Sequence, residues 1–175
     1  YLFYDGQSES IALVMGDVEH EDDVLVRVHS NCVPAHIFNS IECDCREQMA
    51  LAQQAIQDAG KGVIIWLDQE AKGNGHMAAV LSARLKAEGV PQTEAYARLG
   101  YERDGRSFVR AAEIVDFLKI ASVTLMTNNP EKIRTLTDLG VTVSGTRGLY
   151  LEADNPELLK TYMDKITNQK HTIKV

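Results

Sequence analysis

Three cysteines lie close together in the sequence, and thiolates are the softest metal ligands that a protein offers. Cys32, Cys43 and Cys45 fall within 14 positions and are all the cysteines of the chain. A structural zinc ion usually has four protein ligands, whereas a catalytic zinc keeps one position open for water. Three clustered cysteines therefore predict an open zinc site.

Two alternatives stay open at this point. His29, His36 or Asp44 could supply a fourth ligand and close the site. The three thiols could instead be ordinary buried cysteines, which pack as small apolar side chains. An odd, clustered set is not a disulfide framework, and it indicates a reducing compartment, so we expect a cytoplasmic protein.

A second group of side chains is suited to phosphate. Arginine binds phosphate in a bidentate manner, and one short stretch carries four of them: Arg98, Arg103, Arg106 and Arg110. The alternative is a solvated face on which they form ion pairs with neighbouring carboxylates, namely Glu102, Asp104 and Glu113.

Two predicted junctions between a strand and a helix add polar or glycine residues. Residues 70–75 (EAKGNG) are glycine-rich, and residues 127–132 (TNNPEK) place Lys132 in the first turn of a helix. Such junctions offer free backbone N–H groups to an anion, although simple capped turns have the same composition. Together they are consistent with a nucleotide site at one edge of a sheet.

The elements that must position these residues alternate between strands and helices. Apolar runs predict strands at 10–17, 24–28, 62–67, 122–126 and 141–143. Helical spacing and glycine stops predict helices at 45–59, 76–88, 93–99, 108–118, 130–139 and 155–169. The first two strands flank a short acidic turn and predict a hairpin. The pattern is that of an α/β domain with a mixed β-sheet flanked by helices, and we expect residues 1–175 to form a single domain.

Composition narrows the class of protein. The chain has 175 residues, 45% of them hydrophobic and 25% charged, with a net charge of −7. This composition excludes an intrinsically disordered chain. The negative net charge also argues against a general nucleic-acid binder, which would need a basic surface. No apolar run approaches the length of a membrane span, so we expect no membrane partner. Because the sequence begins at Tyr1 rather than Met, we expect an N-terminal piece to be missing.

Taken together, these segments resemble the GTP cyclohydrolase II family, the zinc enzymes that open riboflavin biosynthesis. Residues 27–32 (RVHSNC) and 43–45 (CDC) look like the zinc and substrate segments of the family. Residues 69–75 (QEAKGNG) are similar to its QEGRGIG-like loop, and residues 125–132 (LMTNNPEK) to its LLTNNPxK segment. The similarity runs in register from about Ile11 to the C-terminal helix.

The resemblance implies an activity and a set of roles. GTP would lose pyrophosphate, and its imidazole ring would be opened with release of formate. Zinc on the three cysteines would activate the water that attacks C8, and magnesium would help to neutralise the polyphosphate. Asp104 matches the proton acceptor, and Arg106 matches a proposed nucleophile. Because a guanidinium is protonated, a charge clamp is the simpler role for Arg106.

The resemblance also implies substrate contacts and a homodimer. The positions that match, or stand in for, substrate contacts of the family are Arg27, Gln48, Glu70, Lys72, Thr93, Thr127 and Lys132.

Several positions depart from the family pattern. Ala83 stands where the family has a catalytic Tyr, which leaves Tyr96 and Tyr101 as possible substitutes, and Asn31 stands where it has a Glu. Other departures are Ala71-Lys72 for Gly-Arg, Glu42 and Arg46 beside the cysteines, and His76 after the glycine loop.

These departures suggest a divergent member and leave three hypotheses. The first is a GTP cyclohydrolase, which stops at a formamide if the missing acid–base group served the second hydrolysis. The second is a related zinc hydrolase acting on another nucleotide or base, for example of the uracil-catabolism type. The third is a non-catalytic, zinc-stabilised nucleotide-binding domain, although retention of Asp104 and Arg106 speaks against it.

Overall fold

The computed structural model describes residues 1–149, 151 and 155–173, and over these residues the chain forms six strands and seven α-helices. The strands are β1 (Leu2–Tyr4), β2 (Glu9–Met15), β3 (Val24–Ser30), β4 (Gly62–Leu67), β5 (Val123–Met126) and β6 (Val143–Arg147). The helices are α1 (Val33–His36), α2 (Cys45–Ala59), α3 (Gly75–Ala87), α4 (Gln92–Arg98), α5 (Val109–Phe117), α6 (Pro130–Asp138) and α7 (Pro156–Gln169). A short 3-10 helix occupies Glu70–Gly73, between β4 and α3.

The strands form a mixed sheet in the order β1-β2-β4-β3-β5-β6. The pairs β1/β2 and β2/β4 are antiparallel, whereas β4/β3, β3/β5 and β5/β6 are parallel. The predicted α/β architecture with a mixed sheet flanked by helices is therefore confirmed.

The hairpin predicted between residues 10–17 and 24–28, which correspond to β2 and β3, is wrong. β4 lies between β2 and β3, and its Ile65 is opposite Ala12 of β2 on one side and Val28 of β3 on the other. β3 is a central strand buried on both faces, as parallel strands usually are. The acidic segment that precedes β3 turns at Val18–Glu21, but it does not join two paired strands, and the backbone N–H of His20 donates to the carbonyl of Lys119.

Three further elements differ from prediction in detail. β1 and α1, of three and four residues, are too short to produce a periodic signal and were not predicted. The last strand lies at Val143–Arg147 rather than at 141–143. Ser144, Thr146 and Arg147 of this strand are exposed, so its sequence lacks the apolar run that marks a buried strand.

Helices cover both faces of the sheet. On one face, Ile114 of α5 and Leu136 of α6 pack against alternate strand residues such as Ile65. On the other face, Ile56 of α2 packs against Ile64. Among the helices that the structure describes, none has the length and apolar character needed to cross a membrane.

The parallel strands determine where the functional site lies. β3, β4 and β5 end at the same edge of the sheet, since all three run in the same direction. The segments that follow them begin at Asn31, Asp68 and Thr127. The cysteine, glycine-loop and TNNPEK segments are thereby brought together.

Candidate metal and nucleotide site

A cavity of about 890 Å³ lies at this edge of the sheet. Among the described residues, its wall includes the three cysteines and Tyr96, with seven cationic side chains and four acidic ones. The cations are Arg27, Lys72, Lys86, Arg106, Lys132, Lys160 and Lys165, and the acids are Glu42, Glu70, Glu157 and Asp164. A chain with a net charge of −7 thus concentrates positive charge in one concave site. Such a site is suited to an anionic ligand.

The three thiols form a compact cluster at one end of this cavity. Cys32 precedes α1, Cys45 is the first residue of α2, and the three Sγ atoms lie within 4.8 Å of one another. The Sγ atoms of Cys32 and Cys43 are 3.7 Å apart. Tetrahedral zinc with Zn–S bonds of about 2.3 Å requires a separation of about 3.8 Å. The donor set therefore fits zinc.

Hydrogen bonds among the three cysteines shift their pKa values in opposite directions. Hydrogen bonds from Cys32 and then Cys45 lower the pKa of Cys43 to about 3. The hydrogen bond to Cys43 is the main cause that raises the pKa of Cys32 to about 12. A cation at this point would replace the thiol protons and bind all three cysteines as thiolates.

The candidate fourth ligands have other partners. His29 Nε2 lies 2.9 Å from His36 Nε2, and burial is the main cause that lowers the pKa of His29 to about 3. Asp44 accepts hydrogen bonds from Tyr162 Oη at 2.8 Å and from Lys165 Nζ at 3.0 Å. Within the described part of the chain, the cluster able to hold a metal contains the three cysteines alone, which favours the open site.

Asp44 lies between two of the cysteines and fixes their loop. The residue is 2% exposed. Burial raises the pKa of Asp44, but the charge of Lys165 and the hydrogen bonds outweigh burial and hold that pKa below its ordinary value. Gln48 donates to this carboxylate and accepts from Arg27. The cysteine loop is therefore linked by hydrogen bonds to Arg27 in the central strand.

Glu70 links the cysteine segment to the glycine loop. Its Oε2 accepts from the backbone N–H of Val33 at 2.6 Å, and its Oε1 accepts from that of Ala71 at 2.9 Å. Val33 directly follows Cys32, so this buried carboxylate positions the first thiol as well as lining the cavity.

Lys72 and Arg106 line the cavity and contact Asp104, which is not among the described residues of the cavity wall. Arg106 donates to Asp104 through Nε at 2.8 Å and Nη2 at 2.6 Å, and Lys72 Nζ lies 3.4 Å from Asp104 Oδ2. Burial, followed by the charge of Arg106, lowers the pKa of Lys72 to about 8. Burial raises the pKa of Asp104, but its hydrogen bonds with Arg106 prevail and the pKa lies below the ordinary value.

Arg27, Lys132 and Thr127 lie deeper, at the ends of the strands. Arg27 Nη1 donates to the carbonyl of Met126 and Lys132 Nζ to that of Val28, both at 2.9 Å. Burial lowers the pKa of both cations. The hydroxyl of Thr127 accepts from the backbone N–H of Asn129. These three predicted contact residues line the cavity and also hold the strand ends together.

The glycine loop sets the position of Arg106. Gly73 has a φ of +83°, and a Cβ placed there would lie 2.6 Å from the carbonyl oxygen of Gly105. The backbone N–H of Gly105 donates to the carbonyl of Lys72 at 2.9 Å. Only glycine permits this close approach between the two loops.

Some predicted residues lie elsewhere. Thr93 is half-buried on α4 and is not among the described residues that line the cavity. Of the four clustered arginines, all of them described, only Arg106 lines the cavity. The other three form the ion pairs Arg98–Glu94, Arg103–Glu94, Arg110–Asp5 and Arg110–Glu113. Of the carboxylates expected as partners, only Glu113 pairs with one of these three arginines, since Arg98 and Arg103 pair with Glu94 instead.

The departures from the family pattern are also placed. Ala83 is exposed on α3 and is not part of the described cavity wall, whereas Tyr96 is buried in that wall. The Oη of Tyr96 accepts from Gln92 Nε2 at 3.1 Å. Asn31 donates to Asp68 Oδ1 at 3.2 Å, which places a carboxylate beside it.

Sequence reasoning missed the part of the wall that α7 provides. Tyr162 and Lys165 reach Asp44, and Gln169 accepts from Lys72 Nζ at 2.7 Å. Lys165 and Asp44 are 121 positions apart in the chain. A pattern of local spacing cannot detect a contact over that distance.

Comparison with known proteins agrees with this geometry. A sequence model of the family GTP cyclohydrolase II matches residues 1–148. A GTP cyclohydrolase-2 from Neisseria meningitidis serogroup A is 38% identical over 163 residues, which is 92% of this chain and 83% of that protein. One from Haemophilus influenzae (strain PittEE) is 39% identical over 144 residues, 82% of this chain and 67% of that protein. The chain is therefore a member of the GTP cyclohydrolase II family.

Proposed function

We propose that this protein is a zinc-dependent GTP cyclohydrolase. It hydrolyses the bond between the α- and β-phosphates of GTP and releases pyrophosphate. It also hydrolyses the two C–N bonds at C8 and releases that carbon as formate. The observation that carries the proposal is the sharing of a single cavity by a thiol cluster that fits zinc and a cationic group that fits phosphate.

We assign two metals to the reaction, zinc at the cysteine cluster and magnesium at the polyphosphate. Cys32, Cys43 and Cys45 would hold zinc, which when bound supplies a Lewis acid and lowers the pKa of a water at its open position. Magnesium would accompany the polyphosphate, because it prefers oxygen ligands and usually binds through substrate phosphates.

Arg106 and Asp104 are assigned linked roles. Arg106 clamps the charge that develops on the phosphate, together with Lys72. A phosphate that takes over the hydrogen bonds of Arg106 removes the groups that now lower the pKa of Asp104. The pKa of Asp104 then rises, and its carboxylate becomes a better proton acceptor.

Tyr96 is the phenol that we assign to proton donation in place of the residue missing at Ala83. It lines the cavity, and burial is the main cause that raises its pKa to about 12. It is therefore protonated at neutral pH and able to donate. The proposed substrate contacts are Arg27, Gln48, Glu70, Lys72, Thr93, Thr127 and Lys132, of which Thr93 has the least support, because it lies on α4 outside the described cavity wall.

A second candidate is hydrolysis of a different nucleotide or base by the same zinc site. The exchange at Asn31 favours it, because this side chain lines the cavity and presents an amide where the family pattern has a carboxylate. The side chain of Asn31 donates to Asp68 Oδ1, but Asp68 lies outside the described cavity wall and does not restore a carboxylate to the cavity.

The wider setting is also proposed. Residues 1–175 form a single domain in a cytoplasmic protein, in keeping with three free cysteines. The protein forms a homodimer, supported by the exposed apolar side chains of Met77, Val80 and Leu81 on one face of α3.

The test is release of pyrophosphate and formate from GTP by the zinc-loaded protein in the presence of magnesium. We expect both products from the wild type and neither from Cys43→Ser, which removes one thiolate. Tyr96→Phe should retain zinc and release less formate per pyrophosphate. Full activity of Cys43→Ser, with or without zinc, would refute the metal assignment.

A further inference from the structure

The C-terminal segment, residues 156–173, forms one wall of the cavity although it lies beyond the residues that the family model matches. It is fixed to the rest of the site at both ends. The hydroxyl of Thr161 donates to the carbonyl of Glu42 at 2.6 Å, and the backbone N–H of Thr172 donates to the carbonyl of Asn128 at 3.0 Å. Lys165, Gln169 and His171 of this segment therefore line the cavity.

His171 has an unpaired nitrogen in this wall. Its Nε2 is buried and has no hydrogen-bond partner among the described residues, whereas its backbone N–H donates to the carbonyl of Lys165 at 3.1 Å. Buried polar atoms are nearly always paired, and an exception at a binding cavity calls for an explanation. Because His171 belongs to the cavity wall, a ligand in the cavity could supply the partner that this nitrogen lacks.

The surroundings of His171 specify the charge of that ligand. Burial, followed by the positive charges of Lys165, Arg106, Lys72 and Lys132, lowers the pKa of His171 to about 3. Two carboxylates of this region are already engaged: Asp104 pairs with Arg106, and Asp164 accepts from Gln169 Nε2 at 3.0 Å. The imidazole is thus neutral among cations, and an anion would be bound there.

Gln169 marks where such an anion meets Lys72. The amide oxygen of Gln169 accepts from Lys72 Nζ at 2.7 Å, and Asp104 Oδ2 lies on the same ammonium group at 3.4 Å. A phosphate oxygen carries more negative charge than an amide oxygen and would bind this ammonium group more strongly.

We propose that the C-terminal segment completes a phosphate subsite, in which His171 Nε2 binds a phosphate of the nucleotide together with Lys72 and Arg106. The proposal rests on the proposed function, because the polyphosphate of the substrate is the anion in question. Gln169 holds Lys72 in place until the phosphate displaces its amide. The subsite therefore takes polyphosphates and nucleoside triphosphates.

The experiment measures binding of tripolyphosphate to the full chain by isothermal titration calorimetry, with GTP as a second ligand. His171→Ala and the more conservative His171→Gln should each weaken binding at least fivefold. Gln169→Ala should strengthen it about twofold or more. His20→Ala, at an exposed histidine distant in sequence, is the matched control and should bind like the wild type.

Each result decides between the two proposals. Wild-type affinity in both His171 variants, or weaker binding by Gln169→Ala, would overturn the subsite while leaving the proposed function intact. If the wild type bound neither tripolyphosphate nor GTP, both proposals would fail. Thermal melts of each variant show whether it is folded. If His171→Ala does not fold, the test relies on His171→Gln, which keeps most of the side-chain volume.

Discussion

Asp104 and Arg106 illustrate how far single residues could be assigned from the sequence. Residue type suggested a phosphate contact for Arg106, whereas the role of Asp104 came from the resemblance to the family, and the structure places the two in a bidentate pair beside Lys72. The sequence did not show that Arg106 holds down the pKa of Asp104. That effect depends on distances between side chains, which the order of residues does not specify.

The first prediction concerns the fork geometry of Arg106. Arg106→Lys keeps the charge but removes the two parallel N–H donors, so we expect kcat for GTP to fall by about 10²- to 10³-fold. The free energy of unfolding should change little. Arg103→Lys is the matched control, because Arg103 is exposed and pairs with Glu94 away from the cavity. Equal kcat values for the two variants would contradict the clamp.

At the scale of elements, long periodic segments were predictable and short or central ones were not. The helix at Cys45–Ala59 and the strand at Gly62–Leu67 were predicted with the bounds that the structure shows. The hairpin prediction was wrong because adjacent strands in sequence usually pair, whereas here β4 is inserted between β2 and β3. Partner choice in a sheet is set by burial of both faces, which a single strand does not reveal.

The second prediction concerns the contact between the glycine loop and the loop that carries Arg106. Gly73→Ala should lower activity because its Cβ would meet the carbonyl of Gly105 at 2.6 Å and displace Arg106. Gly100→Ala is the matched control, since Gly100 has a φ of +82° but nothing lies within 4 Å of its added Cβ. Both variants should lose about 1–2 kcal/mol of stability from left-handed backbone strain. Steady-state kinetics should show a loss of kcat for Gly73→Ala alone.

At the scale of the whole molecule, contacts between distant segments complete the site. Asp44 meets Tyr162 and Lys165 across 118 and 121 positions. The last helix was predicted as an element, but its position on the cavity was not, because nothing in its own sequence specifies which surface it covers. The thiol cluster, by contrast, was predictable because its members are close in sequence as well as in space.

The third prediction concerns pH and follows from buried neutral histidines. The pKa values of His29 and His171 are about 3, against an ordinary value of 6.5, so below pH 6.5 the unfolded chain binds protons that the folded chain does not. The stability contribution is fully present above pH 6.5 and is lost as the pH falls toward 3. Each histidine contributes a slope of up to about 1.4 kcal/mol per pH unit.

Urea unfolding at pH 6.5, 6.0, 5.5 and 5.0 measures that slope. His171→Gln should reduce the slope, relative to the wild type, by the equivalent of close to one proton. An unaltered slope in His171→Gln would show that His171 titrates normally in the folded protein.

The measurement that tests the central claim most directly is mass spectrometry of GTP incubated with the zinc-loaded protein and magnesium. We predict a product that has lost both pyrophosphate and the C8 carbon as formate, with one zinc per chain. A formamide product would show the same ring opening with the second hydrolysis missing. Unchanged GTP in the presence of one bound zinc per chain would contradict the account and point to a different nucleotide or base.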